Sequence, residues 1–272
     1  MVRYLTERGL MDLRLKHKRV LVTGGNRGIG RCCALSLARE GARVCITARD
    51  KNRLDNTVED IRKIGGVGFA VSGDLTIPES CQEVVSRTVD VLDGIDILIN
   101  CAGAAGGGDI LNLATGTIDD GLALKSYGYL RMAQLVIPLM KQKQWGRIIH
   151  IAGSAGTSPD RNNIPMSLAN IAILNMTRAL SDAVSEHGIL VNALCPGLTN
   201  TQRARNVQQA RANDEGRDVE EVLKDIGNGL PAGRIAEPEE IAEMVTFLAS
   251  ENCSYMFGSS IYMDGGGRRG TP

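Results

Sequence analysis

Short runs of β-branched and apolar residues alternate with longer amphipathic runs along nearly the whole chain. This alternation is typical of βα units and predicts a parallel β-sheet. We predict seven strands, at residues 20–23, 43–47, 67–71, 95–100, 148–151, 190–194 and 261–263. The clearest helices are predicted at residues 28–40, 51–64, 78–92, 117–141, 167–186 and 238–249. No linker, repeat or break in composition divides the pattern, so we predict a single α/β domain.

Two stretches depart from the alternation. Residues 1–12 form a charged N-terminal extension ahead of the domain, which we place at residues 13–272. Residues 201–234 are polar, charged and irregularly spaced, and they follow the sixth predicted strand. They fall at the edge where α/β sheets bind ligands. A lid over a substrate and a solvated surface excursion both fit this segment.

Composition and charge exclude several classes of function. Lys plus Arg and Asp plus Glu both number 31, so no overall basic field attracts nucleic acid or an anionic membrane. No apolar run approaches the length that spans a bilayer, and residues 1–18 carry charges throughout, unlike a signal peptide. The seven cysteines contain no Cys-x-x-Cys pair, which predicts buried free thiols in a reducing compartment rather than a metal site. We expect a cytoplasmic protein that acts on a small molecule and binds neither nucleic acid nor membrane.

The turn after the first predicted strand is rich in glycine, with Gly24, Gly25, Gly28 and Gly30 in the stretch TGGNRGIG. Glycines there allow positive φ angles and let a ligand approach the main chain where a Cβ would block it. The helix that follows would aim its free N–H groups and the positive end of its dipole at that ligand. A dinucleotide pyrophosphate suits such a site, although an ordinary βα turn has the same local pattern.

Five motifs follow one another in order: TGGNRGIG (23–30), GDL (73–75), NCAG (100–103), the loop at 196–201, and GRIAEPEEIA to DGGG (233–267). This ordered set resembles the short-chain dehydrogenase/reductase family, over residues 13–266. The resemblance implies a doubly wound Rossmann sheet of about seven parallel strands, an NAD(P) cofactor and a homotetramer, or else a homodimer. The cofactor contacts that it implies are Gly24, Asn26, Gly28, Ile29, Gly30, Asp74, Leu75, Asn100, Ala102, Gly103, Pro196, Gly197, Leu198 and Thr201.

The end of the second predicted strand, which reads ITARD, indicates which nucleotide binds. A carboxylate there would bond the ribose hydroxyls and repel a 2′-phosphate, whereas a guanidinium would bind the phosphate. Family members that prefer NAD tend to have the acid at the position of Ala48, and here Arg49 follows, with Arg27 in the glycine turn as a second cation. We therefore expect NADP(H) rather than NAD(H). Asp50 argues against this choice, because its carboxylate could face the ribose.

The catalytic residues of the family do not carry over. Its members use a serine just after the fifth strand, a Tyr-x-x-x-Lys on the next helix and an asparagine on the preceding helix. Counting along this sequence puts Gly153 at the serine, Met166 at the tyrosine, Asn170 at the lysine and Lys125 at the asparagine. Lysine and asparagine have thus exchanged helices, and we hypothesise that the Lys125 ammonium serves the same network from the other helix. A lysine that snorkels to solvent is the alternative.

Two further residues are candidates for the missing contacts. Tyr129 lies one helical turn beyond Lys125 and could present a phenol on the same face, or pack in a helix interface. Ser154 could reach a substrate oxygen if its loop is displaced by one residue, or could be a plain loop serine. His150, before the strand end, is expected to pack against the sheet. The expected catalytic set is thus Lys125, Tyr129, Ser154 and Asn170, with no metal cluster at usable spacing.

These features predict an NADP(H)-dependent oxidoreductase that transfers hydride between nicotinamide and a carbonyl, alcohol or imine carbon. Loss of the tyrosine would slow ketone reduction by ~10²- to 10⁴-fold, unless the substrate is already an iminium cation. Two alternatives stay open: a nucleotide-binding protein without turnover, acting as a sensor or partner subunit, and a non-redox enzyme on the same scaffold. The nicotinamide-end loop and the long lid favour the enzyme interpretations.

Overall fold

Seven parallel strands organise the computed structural model, which describes residues 11–103 and 107–269. The strands are β1 (Arg19–Thr23), β2 (Arg43–Ala48), β3 (Val67–Ser72), β4 (Ile97–Asn100), β5 (Gly146–Ile151), β6 (Ile189–Pro196) and β7 (Ser260–Met263). Their order across the sheet is β3-β2-β1-β4-β5-β6-β7, and each neighbouring pair is parallel. This is the doubly wound Rossmann sheet in a single domain that the sequence predicts.

Helices cover both faces of the sheet. They are α1 (Gly28–Arg39), α2 (Lys51–Lys63), α3 (Pro78–Leu92), α4 (Thr115–Gly121), α5 (Gly128–Lys143), α6 (Ile164–Val184), α7 (Gln202–Glu215), α8 (Val219–Asn228) and α9 (Pro238–Ala249). A π-helical segment, Leu122–Tyr127, joins α4 to α5 without a break. The single helix predicted at residues 117–141 is therefore three consecutive helical segments.

Several predicted boundaries differ from the structure by a few residues. The fourth strand begins at Ile97 rather than at residue 95, and the carboxylate of Asp96, just before it, accepts hydrogen bonds from the main chain and guanidinium of Arg19. Residues 201–234, for which a lid and a solvated surface excursion both fit the sequence, are largely helical, since they contain α7 and α8. Of the predicted N-terminal extension, residues 1–10 lie outside the described part of the chain.

The sheet is buried on both faces. Every residue of β1, β4, β5 and β6 is buried, which explains why these strands are largely apolar in sequence. All seven cysteines are free thiols; Cys101 is half-buried and the others are buried, as predicted. No helix among the described residues has the length and apolar character to cross a membrane.

The strand order reverses between β1 and β4, which are neighbours although β2 and β3 separate them in the sequence. In open α/β sheets a crevice forms at such a point, outside the carboxyl ends of the strands. The glycine turn after β1, the NCAG motif after β4 and the loop after β5 all belong to this edge. The fold therefore collects the motifs singled out from the sequence at one place.

Candidate active site

The glycine turn between β1 and α1 packs directly against the end of β4. Gly24 has φ +68°, and a Cβ there would lie 2.8 Å from Ala102 Cα. A Cβ on Gly30 would lie 2.3 Å from the Gly24 carbonyl oxygen. Arg27 at the N-cap of α1 makes no capping hydrogen bond, so the first-turn N–H groups are available to an anionic ligand. This cradle fits the close approach of a dinucleotide pyrophosphate.

Side chains at the strand ends hold the rim of the crevice in place. The Thr23 hydroxyl oxygen accepts hydrogen bonds from the N–H groups of Cys101 (3.0 Å) and Ala102 (3.1 Å), which fixes the NCAG motif to β1. The Asp74 carboxylate accepts from the Thr76 N–H (3.0 Å) and hydroxyl (2.8 Å). The loop after β3 is thereby fixed beside the end of β2.

Two of the expected cofactor contacts have side chains in the core instead. The Asn100 side chain is fully buried; its amide nitrogen donates to the Tyr129 carbonyl at 3.2 Å and lies 3.2 Å from His150 Nδ1. Leu75 is 3% exposed and packs in the core between the sheet and α3. A nucleotide can meet these two residues only through main-chain atoms.

The end of β2 carries an exposed guanidinium. The Arg49 side chain is 72% exposed, and its nearest carboxylate, that of Asp74, lies 3.9 Å away. Asp50 is engaged elsewhere: its carboxylate caps α2 by accepting from the Arg53 N–H at 3.1 Å, and it pairs with the Arg53 guanidinium. Asp50 therefore no longer argues against NADP(H), because its carboxylate binds its own helix.

Lys125 is buried at the centre of the site, at 7% exposure, although it is a lysine. It lies in the π-helical segment, and such segments are frequent at functional sites. Its Nζ donates to the Ala152 carbonyl at 2.6 Å and to Asn170 Oδ1 at 2.5 Å, and lies 3.8 Å from Met166 Sδ. The predicted exchange therefore brings Lys125 and Asn170 into direct contact, and the alternative of a lysine that snorkels to solvent is wrong.

The surroundings of Lys125 favour its neutral form. Burial is the main cause that lowers the pKa of Lys125 to about 7, and the positive charge of Arg203 acts in the same direction. The nearby thiols carry no charge at neutral pH, because burial raises the pKa of Cys101 to about 12 and that of Cys195 to about 11. Lys125 therefore exists in both protonation states near pH 7.

Gly153 makes room for this arrangement. Its backbone lies at φ +157° and ψ +149°, and a Cβ there would approach Asn170 Nδ2 to 2.8 Å. A serine at this position would collide with the amide that holds Lys125. The absence of a side chain at residue 153 therefore leaves the space that the Asn170 amide occupies.

Tyr129 and His150 are core residues. Tyr129 is fully buried, its hydroxyl donates to the Ile151 carbonyl at 3.2 Å, and its ring stacks on His150 at 5.6 Å between centroids. Burial lowers the pKa of His150 to about 3, so this imidazole is neutral at physiological pH. The packing alternative holds for Tyr129, which is enclosed and offers no proton to a substrate.

Ser154 follows β5, and the start of α7 lies beside the glycine turn. Ser154 begins a short 3₁₀ turn and is half-buried. Thr201 caps α7, its hydroxyl oxygen accepting from the Ala204 N–H at 3.3 Å. A Cβ on Gly28 would lie 3.4 Å from Thr201 Cγ2, so the start of α7 adjoins the glycine turn.

The sequence did not anticipate two contributors to the site. The sequence gives no sign that the thioether of Met166 faces the Lys125 amine. Arg203 lies in the charged segment at 201–234, and only the fold brings its charge close enough to affect Lys125. Among the described residues, no group of three His, Cys, Asp or Glu side chains is placed to hold a metal ion.

Comparisons of sequence connect the chain with known reductases. A family model described as Enoyl-(Acyl carrier protein) reductase matches residues 24–267. An uncharacterized oxidoreductase of Thermotoga maritima is 31% identical over 249 residues, which are 92% of this chain and 96% of the relative. A 3-oxoacyl-(acyl-carrier-protein) reductase of Aquifex aeolicus is 30% identical over 257 residues, 94% of this chain and 99% of the relative.

Solved structures agree in fold over nearly the whole chain. L-sorbose reductase from Gluconobacter frateurii, in a crystal structure with NADPH and L-sorbose, has a TM-score of 0.92 at 29% identity, covering 96% of this chain and 100% of that one. A variant of actinorhodin polyketide ketoreductase, crystallised with NADPH, has a TM-score of 0.88 at 29% identity, covering 92% and 96%. The crevice described above thus belongs to a fold that holds NADPH in these two proteins.

Proposed function

This chain belongs to the short-chain dehydrogenase/reductase family of oxidoreductases, and from that premise we propose that it is an NADP(H)-dependent enzyme acting on a carbonyl or alcohol carbon of a small molecule. When bound, the nucleotide supplies or accepts the hydride. The glycine turn and the first turn of α1 would hold its pyrophosphate. The loop that runs from Pro196 to Thr201 would meet the nicotinamide end.

One observation carries the choice of NADP(H). At the end of β2 an exposed guanidinium, Arg49, stands where a carboxylate would repel a 2′-phosphate, and the nearby acid Asp50 is bound to its own helix. Arg27 at the start of α1 adds a second cation in the turn. The NADPH complexes of the two structural relatives support the same nucleotide.

The charge of the site favours a carbonyl over an iminium substrate. Lys125 is partly protonated near pH 7, and Arg203 is close enough to lower its pKa. A cationic iminium would be repelled by both groups, whereas a neutral carbonyl develops negative charge on oxygen that both would stabilise. The reaction proposed is therefore carbonyl reduction or its reverse, with a proton-transfer site unlike that of the family.

A second candidate is a nucleotide-binding protein without turnover. It is favoured by counting along the sequence, which puts Gly153, Met166 and Asn170 at the positions of the family's serine, tyrosine and lysine. If this candidate is correct, the protein binds NADPH tightly and reduces no carbonyl compound.

The test is a fluorescence titration of the wild-type protein with NADPH and NADH, followed by a panel of aldehydes, ketones and alcohols monitored at the nicotinamide absorbance. We expect NADPH to bind more tightly and at least one carbonyl to be reduced. Arg49→Gln should weaken NADPH binding by roughly 10-fold or more, the usual value of a charge-assisted hydrogen bond, and leave NADH binding unchanged.

Arg62→Gln is the matched control, because Arg62 is an exposed arginine at the far end of α2. Failure of the wild-type protein to bind either nucleotide would contradict the proposal. Equal affinity for the two would contradict the choice of NADP(H). Binding without turnover on any member of the panel would favour the second candidate.

A further inference from the structure

The three N–H bonds of the Lys125 ammonium meet unequal partners. The Ala152 carbonyl at 2.6 Å and Asn170 Oδ1 at 2.5 Å accept two of them. The thioether of Met166, 3.8 Å from Nζ, faces the third. A thioether is a weak acceptor, so this third N–H is the one that can pass to a substrate oxygen. Met166 occupies the position that the family gives to its tyrosine, so the N–H is directed at that place.

The stem of Lys125 places the amine beside the expected cofactor path. A Cβ on Gly103, the last residue of the NCAG motif, would lie 3.5 Å from Lys125 Cδ and 3.6 Å from Cε. Because residue 103 is a glycine, the lysine stem can lie close to that main chain. The amine is therefore held where β4, β5 and α6 converge, at the carboxyl edge of the sheet.

We propose that Lys125 Nζ is the proton donor and acceptor of this enzyme, an assignment that rests on the oxidoreductase function proposed above. In carbonyl reduction, hydride adds to the carbonyl carbon and the oxygen takes a proton from the ammonium. The products are an alcohol, the oxidised nucleotide and a neutral Lys125 amine, which solvent protonates again. In alcohol oxidation the amine takes the hydroxyl proton as the hydride leaves.

The groups around Lys125 cannot take this role. The titratable groups that face it are Cys101 at the end of β4, Cys195 on β6 and Arg203 on α7. Both thiols keep their protons far above neutral pH, and a guanidinium does not release one. The phenol of Tyr129 is enclosed and bonded to a carbonyl.

Lys125 is also suited to the role by its acidity. A general acid or base is most effective when its pKa is near the working pH, and the pKa of Lys125 is about 7. Asn170 and Ala152 accept hydrogen bonds from both the ammonium and the amine, so the group keeps its place when it loses the proton.

The kinetic test uses Lys125→Arg, which keeps a positive charge on a long stem and cannot release a proton near neutral pH. We expect its rate of carbonyl reduction to fall by ~10²- to 10⁴-fold, the usual contribution of a general acid, while the Kd for NADPH changes far less. In the wild-type enzyme reduction should slow, and oxidation should quicken, as pH rises through about 7. This dependence should be absent from Lys125→Arg.

Lys125→Met serves as a second variant if the arginine disturbs folding, and Lys141→Arg on α5 is the control that should behave as wild type. A Lys125→Arg enzyme that reduces the same carbonyl at the wild-type rate, with the wild-type pH profile, would overturn the assignment. So would a wild-type profile that is flat across neutral pH.

A second readout does not depend on turnover. In nucleotide-free protein labelled with ¹⁵N at lysine Nζ, one resonance should titrate near pH 7 and be missing from Lys125→Arg. A Lys125 resonance that titrates at the ordinary value of 10.5 would overturn this inference even in an active enzyme. A wild-type protein that binds no nucleotide would instead overturn the proposed function, so the two failures are distinguishable.

Discussion

Asn170 can hold Lys125 because residue 153 has no side chain. The glycine adopts φ +157°, a conformation that side chains rarely take, and its missing Cβ leaves the space that the Asn170 amide occupies. Restoring the family's serine alone would therefore not restore the family's site. It would push against the group that positions the amine.

Gly153→Ser should accordingly destabilise the protein by about 1–3 kcal/mol, from backbone strain together with the contact to Asn170. Urea unfolding followed by circular dichroism measures the change. Gly116→Ser on α4 is the control, because a Cβ there meets nothing within 4 Å. If the Gly153→Ser variant is as stable as wild type, the loop after β5 accommodates the serine without strain, contrary to this prediction.

Lys125 also affects how the free energy of unfolding depends on pH. Its pKa is about 7 in the folded protein and 10.5 as the ordinary value, so between these limits the unfolded chain binds a proton that the folded protein does not. Its contribution makes the free energy of unfolding rise with pH, by about 1.4 kcal/mol per pH unit. Below pH 7 both states are protonated and the slope from this group vanishes.

The Lys125→Met variant lacks this pH-dependent contribution to the free energy of unfolding. The difference in free energy of unfolding, wild type minus variant, should therefore grow by about 2–3 kcal/mol over two pH units above neutral. Denaturant unfolding of the nucleotide-free proteins in that window measures it. A difference that does not change with pH would mean that the buried amine keeps its proton.

At the scale of elements, the strands were predictable and the helices around the site less so. β1, β4, β5 and β6 are buried along their whole length, so their sequences are largely apolar. The π-helical segment has no such signal, because its residues resemble those of the helices on either side. α7 was missed because only Ala204 and Ala212 on it are buried, so it shows no apolar stripe.

Within the site, too, some features could be predicted from the sequence and others could not. Counting residues along the sequence is enough to predict that Lys125 and Asn170 lie close together. Tyr129 was placed on the correct face, since it reaches the Ile151 carbonyl while Lys125 reaches the next one along, Ala152. One turn further along the helix, however, the side chain enters the core, and that depth depends on packing that the sequence does not express.

A charge on α7 lies close enough to Lys125 to affect its pKa. Arg203, on the first turn of α7, lowers the pKa of Lys125. Arg203→Met should therefore raise that pKa and move the pH profile of reduction to higher pH. The ¹⁵N titration of Lys125 measures the shift directly.

Arg205→Met is the matched control, since Arg205 pairs with Glu220 on α8 and is not among the groups that shift Lys125. If Lys125 has the same pKa in the Arg203 variant and in wild type, the charge of Arg203 does not affect Lys125. If both variants shift the pKa of Lys125 by the same amount, the cause is the position of α7 rather than the charge of Arg203.

For the whole molecule, the outer surface of α6 suggests how copies associate. Leu168 and Ile171 are 39% and 45% exposed there, and Tyr127 in the adjoining π-helical segment is 55% exposed. The two segments are in contact, since the Ser126 hydroxyl donates to the Ala169 carbonyl at 3.4 Å. We propose that this apolar surface is covered in a homotetramer or homodimer.

Ile171→Asp should then yield a smaller species in light scattering, because a charge would be buried at the contact. Leu111→Asp is the control; Leu111 is 83% exposed and lies outside this surface. A wild-type protein that is already monomeric, or an Ile171→Asp variant of unchanged mass, would refute the assignment of this surface.

We expect peroxide to inactivate the protein through the thioether beside Lys125. Oxidation of Met166 would place a sulfoxide oxygen, a strong acceptor, near the third N–H of the ammonium, where a weak acceptor now stands. The proton would then be held rather than passed on, so peroxide should inactivate the enzyme in step with sulfoxide formation at Met166, measured by mass spectrometry. Met166→Leu should resist the same dose, and methionine sulfoxide reductase should restore the oxidised wild type.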